Sequence, residues 1–251
     1  VRRPEPRGTP MGSAPLPATT VEWYRNLGLQ LLEGYGMTEN FAVSHFSRRG
    51  QMRLGYVGSP VAGVECRIAE NGEVLIKSPG NMMGYYREPE KSAESFTEDG
   101  FFKTGDMGEI DAEGRLKLTG RIKELFKTSK GKYVAPVPIE NRLNNHPQVE
   151  VVLVGGNGQP ATYALILLGL EARANPDRAK LEAEFSALLD GVNAGLDPHE
   201  QMAFAVVVKD AWTIENGYLT PTMKIRRNVI EQQYEPQVEA WFQEQRKIIW
   251  E

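Results

Sequence analysis

The chain has 251 residues, with 29 Lys+Arg against 33 Asp+Glu and a formal charge of −4, a balance that argues against a nucleic-acid surface built on bulk charge. Its 41% hydrophobic and 25% charged residues are those of a folded chain and exclude wholesale disorder. The longest uncharged apolar run, Tyr163–Leu170, falls far short of the roughly 18–20 residues of a membrane-spanning helix, and the lone Cys66 excludes an intrachain disulfide.

The first 20 residues hold five prolines, so an irregular entry is expected, and the Pro/Arg-rich VRRPEPRGTP has no apolar stretch after it that would make a signal peptide. Trp23, Leu27 and Leu31 lie four apart. That spacing predicts a short helix, Thr20–Leu27, leading into a strand at Leu29–Glu33. Gly34–Asn40 then reads as a glycine-rich turn opening a short helix. From Val64 to Thr119 strands and tight turns repeat: Val64–Ile68, Glu73–Ser78 and Arg115–Thr119 are β-like, and Asn71-Gly72 is a strong hairpin signal. This run predicts a small antiparallel β subdomain, a distorted barrel in form.

Beyond the boundary near Gly120–Glu124 the pattern changes to compact α+β. A short helix is expected at Ile139–Asn145, strands at Val149–Gly155, Tyr163–Leu170 and Ala203–Val208, and a helix at Ala179–Ala194 with Leu181, Phe185, Leu188 and Leu189 on one stripe. Two closing helices are expected at Lys224–Gln233 and Gln237–Lys247. The domains are therefore read as 1–120 and 121–251.

Four stretches are too specific for packing alone: EGYGMTE (Glu33–Glu39), FFKTGDMGEI (Phe101–Ile110), GRIKELFKTSKGKYVAPVPIE (Gly120–Glu140) and NGYLTPTMKIRR (Asn216–Arg227). Their residues suggest nucleotide chemistry. Gly34 and Gly36 allow close backbone approach to a flat ligand, and Tyr35 offers an aromatic face for a purine. Thr38 supplies a hydroxyl for a phosphate oxygen and Glu39 a hard oxygen for Mg2+. In KTGD, Asp106 follows a glycine turn at the end of a short strand, where a carboxylate can accept both hydroxyls of a ribose. Each feature alone also has a plain reading: a capping Thr/Glu pair, an Asp in a turn, a solvated linker lysine at Lys123.

In this order and at these separations the four stretches resemble the adenylate-forming (AMP-binding) superfamily of acyl-CoA synthetases, from about Met11 to about Arg227. The YVAPVPIE and LTPTMK forms are most similar to the long-chain fatty acid–CoA ligases. The resemblance implies the α/β and α+β fold of that superfamily: the C-terminal part of a β-rich large domain, then a small mobile α+β domain. It implies adenine at Glu33–Tyr35, with Ser13-Ala14-Pro15 lining the adenine side, α-phosphate at Thr38 and Mg2+ at Glu39. Asp106 would hold the ribose, and Arg121 would reach the ribose and phosphate region. Lys123 falls at the family's hinge, and Gly131 falls in the loop that meets the pantetheine arm of coenzyme A.

Lys224 matches the family's essential lysine. A carboxylate attacking the α-phosphate of ATP crowds negative charge into the transition state, and an ammonium between the two neutralises it. Losing one such donor typically costs about 2.7–4 kcal/mol. The activity implied is ATP-dependent formation of a long-chain acyl-adenylate and its transfer to CoA. Fatty acid and CoA would be the partners, with no nucleic acid, and a cytoplasmic location with peripheral membrane contact would be in keeping.

The family's Ser/Thr/Gly-rich triphosphate loop and most of its acyl tunnel are not found in the sequence. The expectation is therefore a C-terminal fragment, weakly active or inactive alone. Another carboxylic acid–CoA ligase of the same superfamily and a non-catalytic AMP-binding remnant stay open. His45, His146 and His199 lack metal-ligand spacing and are read as structural or solvated; Cys66 is read as core. The four lysines within Lys123–Lys132 suit CoA phosphates, an anionic membrane surface or only water.

Overall fold

The computed structural model describes residues 8–11 and 18–251. Within it the chain forms two compact units, the first ending at Lys123 and the second running Glu124–Glu251.

In the first unit, β1 (Gly8–Met11) lies parallel to β2 (Gln30–Tyr35), joined through α1 (Ala18–Asn26). The Trp23/Leu27 stripe does not face a core: both side chains are more than half exposed, and among the described side chains of α1 it is Val21 that is buried. β2 continues into two short antiparallel neighbours, β3 (His45–Phe46) and β4 (Ser59–Pro60). A second sheet is an antiparallel meander of β5 (Glu65–Ile68), β6 (Glu73–Lys77), β7 (Phe102–Ile110) and β8 (Leu116–Arg121). It is the β-rich subdomain expected from the turn signals. Asn71-Gly72 makes the β5–β6 turn, where Gly72 N–H donates to the Ala69 carbonyl at 2.9 Å.

One expectation here needs correcting. Asp106 does not end a short strand; it sits in the middle of β7, a nine-residue strand. Gly105 takes φ +72, and the register with both neighbours is irregular around this point, between Glu73 and Leu75 on one side and Met107 and Gly108 on the other. The glycine is a kink within the strand, as such residues are where a strand bends.

The second unit opens with a two-stranded hairpin, β9 (Phe126–Lys127) and β10 (Tyr133–Val134), and α3 (Pro136–Leu143); the six-residue α2 (Pro89–Glu94) lies earlier, between β6 and β7. Its main sheet runs in the order β11 (Val149–Gly155), β12 (Thr162–Leu168), β13 (Met202–Val207), β14 (Ile248–Trp250). β11 and β12 are antiparallel, while the β12–β13 and β13–β14 pairs are parallel. The crossover between β12 and β13 carries α4 (Leu170–Ala174) and α5 (Arg178–Asn193).

From Tyr163 onward β12 is an unbroken apolar run because both of its faces are covered. Ala164, Ile166 and Leu168 pack with Ile139 and Leu143 of α3 and Leu181, Phe185 and Leu189 of α5. Tyr163, Leu165 and Leu167 pack on the other side with Ile230, Tyr234, Val238 and Trp241 of α6 (Arg227–Glu244). α6 is one helix and not the two expected. Pro236 lies inside it, and the apolar stripe at spacings of four, four and three residues continues straight through. Burial of that stripe outweighs the roughly 3 kcal/mol or more that an interior proline costs.

Candidate functional site

In the first unit the groups converge on the C-terminal end of β2. Tyr35 is the last residue of β2, only 8% exposed, and its ring belongs to the cluster of Val74, Ile76 and Leu116. Its hydroxyl donates to Asp106 Oδ2 at 2.6 Å. The other carboxylate oxygen, Oδ1, pairs with Arg121 Nε at 3.0 Å. The register makes this possible, since Asp106 and Arg121 face each other across β7 and β8. Asp106 N–H is held by Thr104 Oγ1 at 3.1 Å, and that hydroxyl donates to the Val74 carbonyl at 2.8 Å. Burial and the adjacent Asp106 charge push the Tyr35 phenol far above its ordinary range, so it stays a hydrogen-bond donor.

This arrangement modifies the sequence expectation. Tyr35 does not present an open face; it acts first through its hydroxyl, fixing a buried carboxylate. Asp106 in turn has both oxygens engaged, each with a lone pair left over, while Arg121, with 59% of its side chain exposed, is free to follow a ligand.

The glycines likewise serve the chain itself. A Cβ on Gly36 would lie 2.3 Å from the Ala42 carbonyl carbon, and one on Gly34 would lie 3.0 Å from the Phe46 ring. The close approach read from the sequence is made by the loop that follows. That loop opens with a 3-10 turn at Thr38–Asn40, and Phe41 and Ala42 then take left-handed φ values of 58° and 67°. Asn40 Oδ1 accepts from Met37 N–H at 2.8 Å, closing the turn.

Thr38 at the start of the turn is exposed and Glu39 half-buried. Glu39 Oε1 accepts from the Tyr85 hydroxyl at 2.9 Å, and its backbone carbonyl accepts from Met82 N–H at 2.7 Å. Tyr85, which nothing in the sequence marked, thus aims the expected metal ligand. Among the described residues no group of three His, Cys, Asp or Glu side chains could hold a metal alone. One carboxylate with an oxygen to spare beside an exposed hydroxyl does fit Mg2+, which takes few protein ligands and completes its shell with phosphates and water.

Glu33 of β2 is buried, and burial raises its carboxyl pKa. His45, set aside as structural, is fully buried opposite Tyr35; burial lowers its imidazole to about 4, so it is neutral. Ser13, Ala14 and Pro15 lie outside the described residues.

In the second unit Lys224 stands on a hairpin ahead of α6 and is not part of the helix. Leu219 and Ile225 bridge its arms. Thr220 N–H donates to the Lys224 carbonyl at 2.8 Å, Met223 N–H to the Thr220 carbonyl at 2.8 Å, and Lys224 N–H to Thr220 Oγ1 at 3.1 Å. Met223 at the tip has φ +61, an uncommon conformation for a long side chain. Lys224 is exposed. The β9–β10 hairpin carries Gly131 at φ +78, with its N–H donating to the Thr128 carbonyl at 2.9 Å. Lys127 lies 5.5 Å from the Tyr133 ring on the exposed face of this hairpin.

The AMP-binding enzyme family matches residues 3–86, and the AMP-binding enzyme C-terminal domain matches residues 124–246. The chain belongs to the AMP-binding enzyme family. Relatives within the family include the long-chain-fatty-acid–CoA ligase FadD15 of Mycobacterium bovis, 35% identical over 93% of this chain and 42% of its own length. Human long-chain-fatty-acid–CoA ligase 1 is 32% identical over 91% of this chain and 37% of its own length. The chain therefore spans about two-fifths of the curated relatives it matches. Among solved structures, the A domain of the carboxylic acid reductase from Segniliparus rugosus, in complex with AMP and a co-purified carboxylic acid, aligns at a TM-score of 0.76. It is 27% identical and covers 94% of this chain and 39% of that one. Both halves of the fold expected from the resemblance are thus present: a β-rich part of the AMP-binding domain and its α+β C-terminal domain.

Proposed function

We propose that the chain contributes the nucleotide site and the catalytic lysine of an AMP-forming ligase that joins a long-chain fatty acid to CoA. The observation that carries this reading is the Tyr35–Asp106–Arg121 chain of contacts at 2.6 and 3.0 Å in a member of the AMP-binding enzyme family. A carboxylate fixed on one side and shared with an exposed guanidinium on the other suits the 2′,3′-diol of a ribose whose 5′ carbon carries the phosphate.

In this reading Asp106 accepts the ribose hydroxyls, and Arg121 moves to bridge ribose and phosphate. Glu33–Gly36 border the adenine, and Thr38 donates to an α-phosphate oxygen. Glu39, aimed by Tyr85, would hold Mg2+, which when bound neutralises phosphate charge. Lys224 brings its ammonium between the fatty-acid carboxylate and the α-phosphate, where charge builds during attack. The Gly131 loop with Lys127, Lys130 and Lys132 serves CoA in the second half-reaction, and Lys123 is the hinge between the domains.

Two measurements test this. The first is titration of AMP into the chain and into Asp106→Ala: binding that is lost with Asp106 supports the nucleotide site, and equal affinity in both overturns it. The second is ATP–pyrophosphate exchange with fatty acids of increasing length. It is run on this chain and on this chain joined to the remaining part of the Mycobacterium bovis relative. Exchange that peaks at long acyl lengths supports the substrate class, whereas a preference for aryl or short acids moves the reading to another acid–CoA ligase.

A further inference from the structure

The second unit contains a largely buried ion pair that the chemistry above does not use. Glu140 lies on α3 between the buried Ile139 and Leu143, and Arg227 is the first residue of α6, three residues before the buried Ile230. Glu140 Oε1 accepts from Arg227 Nη2 at 2.5 Å and from Val154 N–H at 2.7 Å, and Arg227 Nη1 donates to the Val154 carbonyl at 2.9 Å. Val154 is opposite Ala164 in the β11–β12 register, and β11 is an edge strand. In an antiparallel pair alternate residues turn both backbone groups away from the partner. At Val154 those two groups meet the carboxylate and the guanidinium instead of water. Burial pushes the Glu140 carboxyl pKa up, while Arg227 and the Val154 N–H draw it back.

Stability alone is a weak reason for such a pair, because apolar side chains of similar volume often serve as well. Position offers a better one. α3 starts two residues after β10, whose hairpin holds Gly131. Arg227 follows Lys224 by three residues, directly after the bond from Arg226 N–H to the Tyr218 carbonyl at 2.8 Å that closes the Lys224 hairpin. The local bonds of that hairpin set its shape. Against the rest of the unit it is held by Leu219, buried on one arm, by Tyr218 and Ile225, which pack on the same apolar cluster, and by Arg227 at the end of the other arm.

We propose that Glu140 and Arg227, closing on Val154, are positioning residues that lock the Lys224 hairpin to the element carrying the Gly131 loop. The loops serving the two half-reactions then keep one fixed orientation within the second unit. This rests on the roles read for Lys224 and Gly131. Neither Glu140 nor Arg227 touches substrate; each acts through the hairpin.

Amide hydrogen exchange on the whole chain tests the proposal with three variants. Arg227→Met leaves Glu140 buried without its partner. Glu140→Met/Arg227→Met removes both charges at similar volume, so it remains informative where the single variant fails to fold. Arg227→Lys keeps the charge but not the planar fork. Exchange at the Met223, Lys224 and Arg226 amides should rise about tenfold or more in the double variant, with the central Leu165 and Val206 amides changing by less than about twofold. Arg227→Lys should fall between wild type and the double variant. Unchanged hairpin exchange in the double variant overturns the proposal. So does an equal rise across hairpin and sheet, which marks the pair as a stability element alone. Lys224→Ala separates this from the underlying reading. If adenylate formation by the chain joined to the remaining part of the Mycobacterium bovis relative survives Lys224→Ala while hairpin exchange still responds to Arg227, the catalytic assignment fails and the positioning stands.

Discussion

The two units hold their loops by different means. In Glu124–Glu251 a sheet is buried on both faces, with α3 and α5 on one side and α6 on the other. The Lys224 and Gly131 hairpins project from that apolar mass. In the first unit the apolar cluster around Tyr35 is small, comprising Val74, Ile76 and Leu116, and the groups of interest are tied by polar bonds. Tyr35 fixes Asp106 and Tyr85 fixes Glu39, while Arg53 and Arg115 both pair with Asp111 at 3.2 and 2.8 Å. Apolar burial stabilises without direction, whereas hydrogen bonds contribute less net stability but fix angles. The first unit spends its polar contacts on aiming carboxylates; the second relies on its core and aims its lysine with one ion pair.

The largest expected effect tests the core side of this contrast. Phe185→Ala should cost about 3–5 kcal/mol of second-unit stability in urea unfolding, because Phe185 is 1% exposed. A comparable loss from Trp23→Ala on the open face of α1 would break the comparison. Next, Lys224→Ala should slow adenylate formation by the chain joined to the remaining part of the Mycobacterium bovis relative roughly 100- to 1000-fold, and should leave the unfolding midpoint of this chain unchanged, since Lys224 is exposed. A shifted midpoint would mean that the hairpin belongs to the core.

The third prediction concerns acid. His45 has its folded pKa lowered from 6.5 to about 4 by burial. The unfolded chain therefore takes up the proton first, and the contribution of His45, complete above pH 6.5, is lost as pH falls from 6.5 towards 4. The loss amounts to roughly 3 kcal/mol at most. The difference between wild type and His45→Phe in urea midpoints across this range isolates it, and a flat difference would show that His45 meets water in the fold. Fourth, Asp106→Ala leaves the Tyr35 hydroxyl buried without its acceptor and should cost about 1–3 kcal/mol by thermal unfolding, along with the loss of AMP affinity. Smallest is Arg121→Ala, whose side chain is 59% exposed. It should change stability by less than about 1 kcal/mol while weakening AMP binding, and that split would sharpen the assignment of Arg121 to the ligand and not to the fold.

What could be read from the sequence was what local chemistry decides. The Val149–Gly155 strand agrees residue for residue, α5 and β13 agree within one residue, and the Asn71-Gly72 turn is where its residues demand it. β7 reads from the sequence as a short strand that stops at a Gly105–Asp106 turn; its partners on both sides carry the extended form on to Ile110. The break expected between Gln233 and Gln237 is overridden by the buried stripe of α6, which runs through Pro236, and three-residue β14 carries too little pattern to stand out. At the site, residue types were legible and their ties were not. Tyr35 and Asp106 are 71 positions apart, Glu39 and Tyr85 46, and Glu140 and Arg227 87. No local period records such pairings, because register and packing create them.

The loop at Phe41–Ala42 has one further consequence. Two successive residues with a Cβ in the left-handed region cost roughly 1–2 kcal/mol each relative to the right-handed form. Glycine at either position would relieve that strain. It would also enlarge the set of shapes open to the segment next to Thr38 and Glu39. As the chain stands, the entropy of shaping that segment is surrendered during folding, before any ligand arrives. A nucleotide meeting it would bind with a smaller ordering penalty, and a Phe41→Gly or Ala42→Gly protein that melts higher should hold the nucleotide less tightly.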